Sequence, residues 1–259
     1  MKNNEILYID TKKLSTNILI LFVSTEFLFL IFDITINYNK LIHYGPMRRL
    51  FNIAREDSLS SWFMSAQTLI TALVLWLIVY IHLKLYTSGT YVKVGWFILA
   101  IFFTYMAADD GAAIHERLGS TFELLARDAQ AGNMFYFINS FPSYIWQIVV
   151  LPFFAAMGIF MLVFLWKIFR LDMMMYKILL AFSFLGIAVI LDFMEGLSID
   201  SAYNIYNYVM DVFNVNLKMV EHFSRAIEEL FEMIGITLFL VVFIEYIGKI
   251  REKPIKIYL

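Results

Sequence analysis

The sequence predicts an all-α fold: a polytopic transmembrane helix bundle of six spans with both termini on the cytoplasmic side. Three observations carry this expectation. Of 259 residues, 61% are hydrophobic and only 16% charged, with mean hydropathy +0.73; a soluble domain would carry about a quarter charged residues. The apolar residues fall in blocks of about 20, the length that crosses a bilayer as a helix. Lysine and arginine concentrate at alternate block ends, which is the positive-inside pattern. Residues 1–259 read as one integral membrane domain with no internal repeat, low-complexity tract or soluble module.

The first span, 14–36, follows Lys12 and Lys13 as a secretory signal would. It runs too long and lacks a small-residue cleavage site, so it reads as a retained anchor. Glu26 and Asp33 within it are seven apart and share a helix face. The connection 37–60 holds a Gly45–Pro46 turn signal and the basic residues Arg48, Arg49 and Arg55. On the second span, 61–85, Asp57, Ser61, Ser65 and Thr68 form one stripe, with helix capping an equal explanation for Asp57 and the serines. The third span is 94–114. After it, residues 117–143 carry an amphipathic stretch from Thr121 to Ala129, a Gly132–Asn133 breaker and Pro142. The fourth and fifth spans are 144–169 and 176–195. The tyrosines of 196–220 read as an interfacial aromatic belt, and the sixth span is 227–247.

Charge sets the orientation. The N-terminus, the 84–93 and 167–177 turns and the C-terminal tail hold 12 of the 20 basic residues, giving a formal +7 on that side and −8 on the other, with Glu26 mid-span. Both termini are therefore expected in the cytoplasm and the acids on the extracytoplasmic face of the cell membrane. Zero cysteines exclude disulfides, thiolate metal sites, iron–sulfur clusters and a cysteine nucleophile. The lipid bilayer is the expected partner, nucleic acid is not, and oligomerisation stays open.

The acids are the functional signal, because charge at membrane depth is costly and a convergent set of it marks a site. Asp109, Asp110, His115 and Glu116 close the third span. Asp109 and Glu116 are seven apart, close to two helical turns, so both carboxylates are expected to share a face. Asp192 and Glu195 close the fifth span, three apart. The sixth opens with Glu221, His222, Arg225, Glu228, Glu229 and Glu232, which spacings of three, four and seven group within about 100° of arc. The helix dipole explains Glu221 at a solvated helix start but not Glu232 inside an apolar run. His43 and His82 read as bystanders.

Carboxylates and imidazoles on facing helices match the ligand types of a carboxylate-rich metal site, although the Glu-x-x-His pairs of di-iron bundles are missing. Asp109, His115, Glu116, Glu195, His222, Glu229 and Glu232 are the candidate metal ligands, with Glu228 and Asp110 as candidate catalytic acids or bases. The ligand chemistry suits Zn, Fe or Mn, and an all-oxygen subset suits Ca or Mg.

The run Arg55-Glu56-Asp57-Ser58-Leu59-Ser60-Ser61-Trp62-Phe63, then Asp109-Asp110 to His115-Glu116, then Glu228-Glu229-x-x-Glu232 resembles an uncharacterised family of prokaryotic multi-pass membrane proteins. That resemblance implies no known activity. The alkaline-ceramidase-like superfamily is similar in having serine, aspartate and histidine on successive spans. It also has a His-x-x-x-His pair on its last span and usually seven spans, both lacking here, so neither its fold nor its zinc ligands carry over.

Two function classes follow. One is a metal-dependent membrane hydrolase or oxidase acting on a lipid or lipid-soluble substrate from the extracytoplasmic leaflet. The other is non-enzymatic: an ion or proton pathway, or a membrane-complex subunit whose acid cluster binds a cation. The spans' cytoplasmic halves are nearly all apolar, with Glu26, Gln67 and Thr71 as exceptions, which favours a one-sided site over a full pathway. A b-type haem between His115 and His222 is a third reading, disfavoured by acids that would oppose its propionates.

Overall fold

A computed structural model describes residues 6–84, 88–127, 138, 140–250 and 255–258. Six helices in it are long and apolar enough to cross a membrane. In order they are α1 (Thr11–Phe32, continued by a π-helical turn, Asp33–Tyr38), α3 (Leu59–Lys84), α4 (Thr90–Ala112), α7 (Leu151–Phe169), α8 (Met174–Gly196) and α10 (Leu217–Ile250). Shorter helices lie between them: α2 (Gly45–Leu50), α5 (Ile114–Arg127), α6 (Ile145–Val149) and α9 (Tyr206–Phe213). The Gly132–Asn133 breaker falls outside the described residues, as do the last two residues of the Thr121–Ala129 stretch.

Strands β1 (Ile6–Ile9) and β2 (Ile255–Tyr258) pair antiparallel, Ile6 opposite Tyr258. This ribbon lies outside the all-helical expectation, and it fixes both described chain ends at one end of the bundle. We call this the terminal end and the opposite one the acidic end.

Local chemistry sets most boundaries. Asp10 caps α1 by accepting from the backbone N–H groups of Lys12 and Lys13. Ser58, rather than Asp57, caps α3: its Oγ accepts from the Ser61 N–H at 3.2 Å. Asp57 instead lies exposed between Arg49 and Arg55. The expected 144–169 span divides at Val150, because Pro152 in the first turn of α7 has no N–H to continue the ladder from α6. The last helix begins at Leu217, ten residues before the expected start of its membrane-crossing part.

One boundary corrects the sequence reading. Asp109 and Glu116 do not share a continuous helix, because Ala113 is left-handed (φ 49°) and ends α4. The Asp109 carboxylate explains the turn. It accepts from the His115 backbone N–H at 2.8 Å and pairs with His115 Nδ1 at 2.7 Å, satisfying the start of α5.

α10 is the central helix, buried along nearly all of its apolar length and packed against α1, α3 and α8. α3 packs on α4, and α7 touches α8 and α4. Toward the terminal end the core is aromatic. Trp96 of α4 is fully buried, edge-on to Phe164 (5.2 Å) and Phe243 (5.8 Å) and stacked on Tyr246 (4.8 Å). Ile20, Leu21, Phe27 and Ile31 of α1 are exposed, as a lipid-facing surface should be.

Three polar rungs cross the α1–α10 interface. Ser15 donates to Glu245 at 2.9 Å, Thr237 donates to Glu26 at 2.5 Å, and His222 pairs with Asp33 at 2.7 Å. The Glu26/Asp33 face read from sequence is therefore turned toward α10 and away from lipid.

Candidate functional site

At the acidic end a cavity of about 460 Å³ lies between α5, α8, α10 and the segments preceding α3 and α7. Its lining carries seven carboxylates, Glu56, Glu116, Glu123, Asp192, Glu195, Glu228 and Glu229, and one guanidinium, Arg225. Tyr144, Trp146, Gly119 and Ser120 complete much of the wall.

One wall is the Ser143–Val149 segment, clamped against two helices. Gln147 Nε2 donates to Asp192 at 2.6 Å, Tyr144 donates to Glu195 at 2.5 Å, and Ser143 Oγ donates to the Phe193 carbonyl at 2.9 Å. Two glycines permit this approach. A Cβ on Gly119 would sit 2.8 Å from the Trp146 nitrogen, and one on Gly196 would sit 2.8 Å from the Tyr144 nitrogen. Neither glycine nor Gln147 stood out in the sequence, since their roles depend on a long-range contact.

The acids divide into satisfied and unsatisfied groups. Glu195 is saturated, with Arg225 Nε donating to its second oxygen at 2.5 Å. Glu123 pairs with Arg127 one helical turn on. Asp110 accepts from Thr68 Oγ1 at 2.8 Å, which joins α3 to α4. Glu56 and Glu116 face each other. Glu116 is pushed up to about 7, first by its desolvated position in the cavity wall and then by the adjoining Glu56 carboxyl. Among the described residues Glu228 and Glu229 line the cavity without a hydrogen-bonding or ion-pairing partner. Glu232, one turn deeper, lies within electrostatic reach of Asp110 and His115.

Of the seven candidate ligands, Glu116, Glu195 and Glu229 line this one cavity. His115 stands beside it, its ring 4.8 Å from that of Trp146. Partial burial opposes its charge, but the Asp109 hydrogen bond and the surrounding carboxylates outweigh this and raise its pKa above the ordinary histidine value. Asp109 is committed to His115 and is only 1% exposed.

His222 does not line the cavity. Its Nε2 pairs with Asp33 of α1, and its ring stacks on Tyr38 at 4.9 Å. Three residues on from His222, about 60° back around α10, Arg225 turns instead to α8. The face read as one acidic stripe thus serves two neighbours. Among the described residues, no three His, Asp or Glu side chains converge closely enough to share a metal ion.

Among the curated proteins and the solved structures compared, none matches the chain. The profile of a domain of unknown function (DUF8692) does match, over residues 18–246. That stretch takes in all of α3 to α9, the greater part of α1 and α10, and every cavity-lining residue, so the chain belongs to the DUF8692 family.

Proposed function

We propose that this chain is a membrane-embedded cation-binding protein whose site is the acid-lined cavity at the acidic end. The observation that carries the proposal is the imbalance of charge in one cavity lining. Among the described residues, Glu56, Glu116, Glu228 and Glu229 form no ion pair, while the guanidinium lining the cavity is committed to Glu195. Carboxylates so placed draw in a cation or retain protons, because they cannot all ionise side by side. The carboxylate oxygens of the lining suit a hard divalent ion such as Ca, Mg or Mn. The cavity volume leaves such an ion room to keep part of its water shell. The basic residues of the terminal end support an extracytoplasmic position for the cavity, by the positive-inside rule.

Equilibrium dialysis of detergent-purified protein against Mn²⁺ tests this. Wild type should bind saturably, and the Glu228→Gln/Glu229→Gln double variant should lose that binding. Equal uptake by both would remove the cavity as the site.

A second, enzymatic reading rests on the Asp109–His115 pair. Asp109 holds Nδ1, so Nε2 is the nitrogen left to act as a general base toward a lipid-soluble substrate at the cavity wall. Glu116 and Glu232 lie within its electrostatic reach. Asp109→Asn would misplace that proton, so hydrolysis of a lipid ester probe by wild type but not by this variant would favour catalysis.

A further inference from the structure

A second polar group lies away from the cavity, near the middle of α1. Glu26 is 0% exposed, and its Oε1 accepts twice, from Thr237 Oγ1 at 2.5 Å and from Gln67 Nε2 at 3.0 Å. Gln67 is 1% exposed, and its Nε2 also donates to the Met233 carbonyl at 3.0 Å and contacts Thr237 Oγ1. Among the described residues, two buried acceptors in this group have no partner: Glu26 Oε2 and Gln67 Oε1.

The orientation of Gln67 is fixed by the network. The Met233 carbonyl only accepts, so the amide must turn its NH₂ toward it, and a flipped amide would set oxygen against oxygen. Gln67 Oε1 is therefore a true acceptor that lacks a donor. Neither element packed on α1 brings an ionised side chain against Glu26: α3 presents Gln67, and α10 presents Thr237 and the Met233 carbonyl. No cationic side chain is available to balance a carboxylate at this depth among the described residues.

We infer that Glu26 carries a proton on Oε2 and donates it to Gln67 Oε1, closing a cyclic acid–amide pair that makes this level of the bundle a proton-holding site. One hydrogen then satisfies both orphaned oxygens. The Nε2–H to Oε1 bond already present is the other half of the ring. The site ties α1 to α3 directly and to α10 through Thr237. On α10 the residues from Leu238 to Ile244 on its terminal-end side are all apolar and buried, so no polar side chain of that helix continues the group for nearly two turns. The inference does not depend on the cavity reading.

Infrared spectroscopy of the purified protein in nanodiscs tests it, with Glu26→Gln as the reference. The wild-type spectrum should contain the carbonyl stretch of a protonated, hydrogen-bonded carboxylic acid that the variant lacks. That band should still be present at about pH 6, where an ordinary glutamic acid is ionised. Glu26→Gln should melt within a few degrees of wild type, since an amide also donates to Gln67 Oε1, whereas Glu26→Leu should melt lower. The inference fails if the difference band is absent, or if Glu26→Gln is as destabilised as Glu26→Leu or does not fold. It also fails if wild type, but not Glu26→Gln, is stabilised by sodium, which would place a metal cation between the oxygens.

Discussion

His222 Nε2 lies 2.7 Å from Asp33 Oδ2, joining the sixth membrane helix to the first at the acidic end of the bundle. The other Asp33 oxygen accepts from Asn37 Nδ2 (2.9 Å) and the Ile53 N–H (3.3 Å), so the aspartate organises three chain segments while fully buried. Removing the imidazole would strand a buried acid. His222→Ala should cost about 1–3 kcal/mol, the penalty for leaving a buried acceptor without its hydrogen-bond partner. Chemical denaturation reads that cost, and Mn²⁺ binding should be unchanged where the fold persists. A variant as stable as wild type would show that the pair contributes nothing.

The clamped wall gives a second expectation. Gly119→Ala and Gly196→Ala would push a methyl group into the backbone at Trp146 and Tyr144, and overpacking of this kind costs about 1–3 kcal/mol. Gly158→Ala is the control, because a Cβ there meets nothing within 4 Å. In that helix interior alanine should raise stability by up to about 1 kcal/mol. If thermal melts of the three variants coincide, the wall is not clamped as described.

How much of this was legible follows from the range of each interaction. Span number and alternation come from composition and basic-residue position, which are local, and six long apolar helices are present. Glu116, Glu195 and Glu229 were readable as candidates because acids in apolar runs are costly wherever the helix turns. The direction each acid faces was not readable. Spacing placed His222 with the other sixth-span acids, but α1 competes for that side of α10 through Asp33. The Asp109–Glu116 face assumed an unbroken helix, and a single left-handed alanine with a side-chain cap removed it. Gln67 and Thr71 stood out as polar in apolar spans, but the link from Gln67 through Thr237 to Glu26 required the packing of three helices.

Stability should fall as pH rises through neutrality. Glu116 titrates from 4.5 to about 7 on folding, so across that window the folded chain holds more protons than the unfolded chain. Its contribution is greatest below pH 4.5 and is lost as pH climbs to about 7. His115, also raised, acts in the same direction: its contribution is full below the ordinary histidine value of 6.5 and fades above it. Glu116→Gln should flatten the lower part of this dependence and melt above wild type at alkaline pH. Melting curves across pH check the sign, and a wild type that gains stability from acid to neutral pH would reverse it.

Topology can be tested without background, since the chain has no cysteine. A cysteine at exposed Asn207, near the acidic end, should react with an impermeant reagent on intact cells. One at Leu171, 95% exposed at the terminal end, should react only after permeabilisation. The opposite pattern would put the cavity on the cytoplasmic side.

If the unneutralised carboxylates of this one cavity bind a cation, anomalous diffraction from crystals grown with Mn²⁺ will locate it. An anomalous peak is expected inside the cavity, between the Glu56–Glu116 pair and the Glu228–Glu229 edge of α10, and it should be lost in the Glu228→Gln/Glu229→Gln variant. An empty cavity at saturating Mn²⁺, or a peak that persists in the variant, would contradict it.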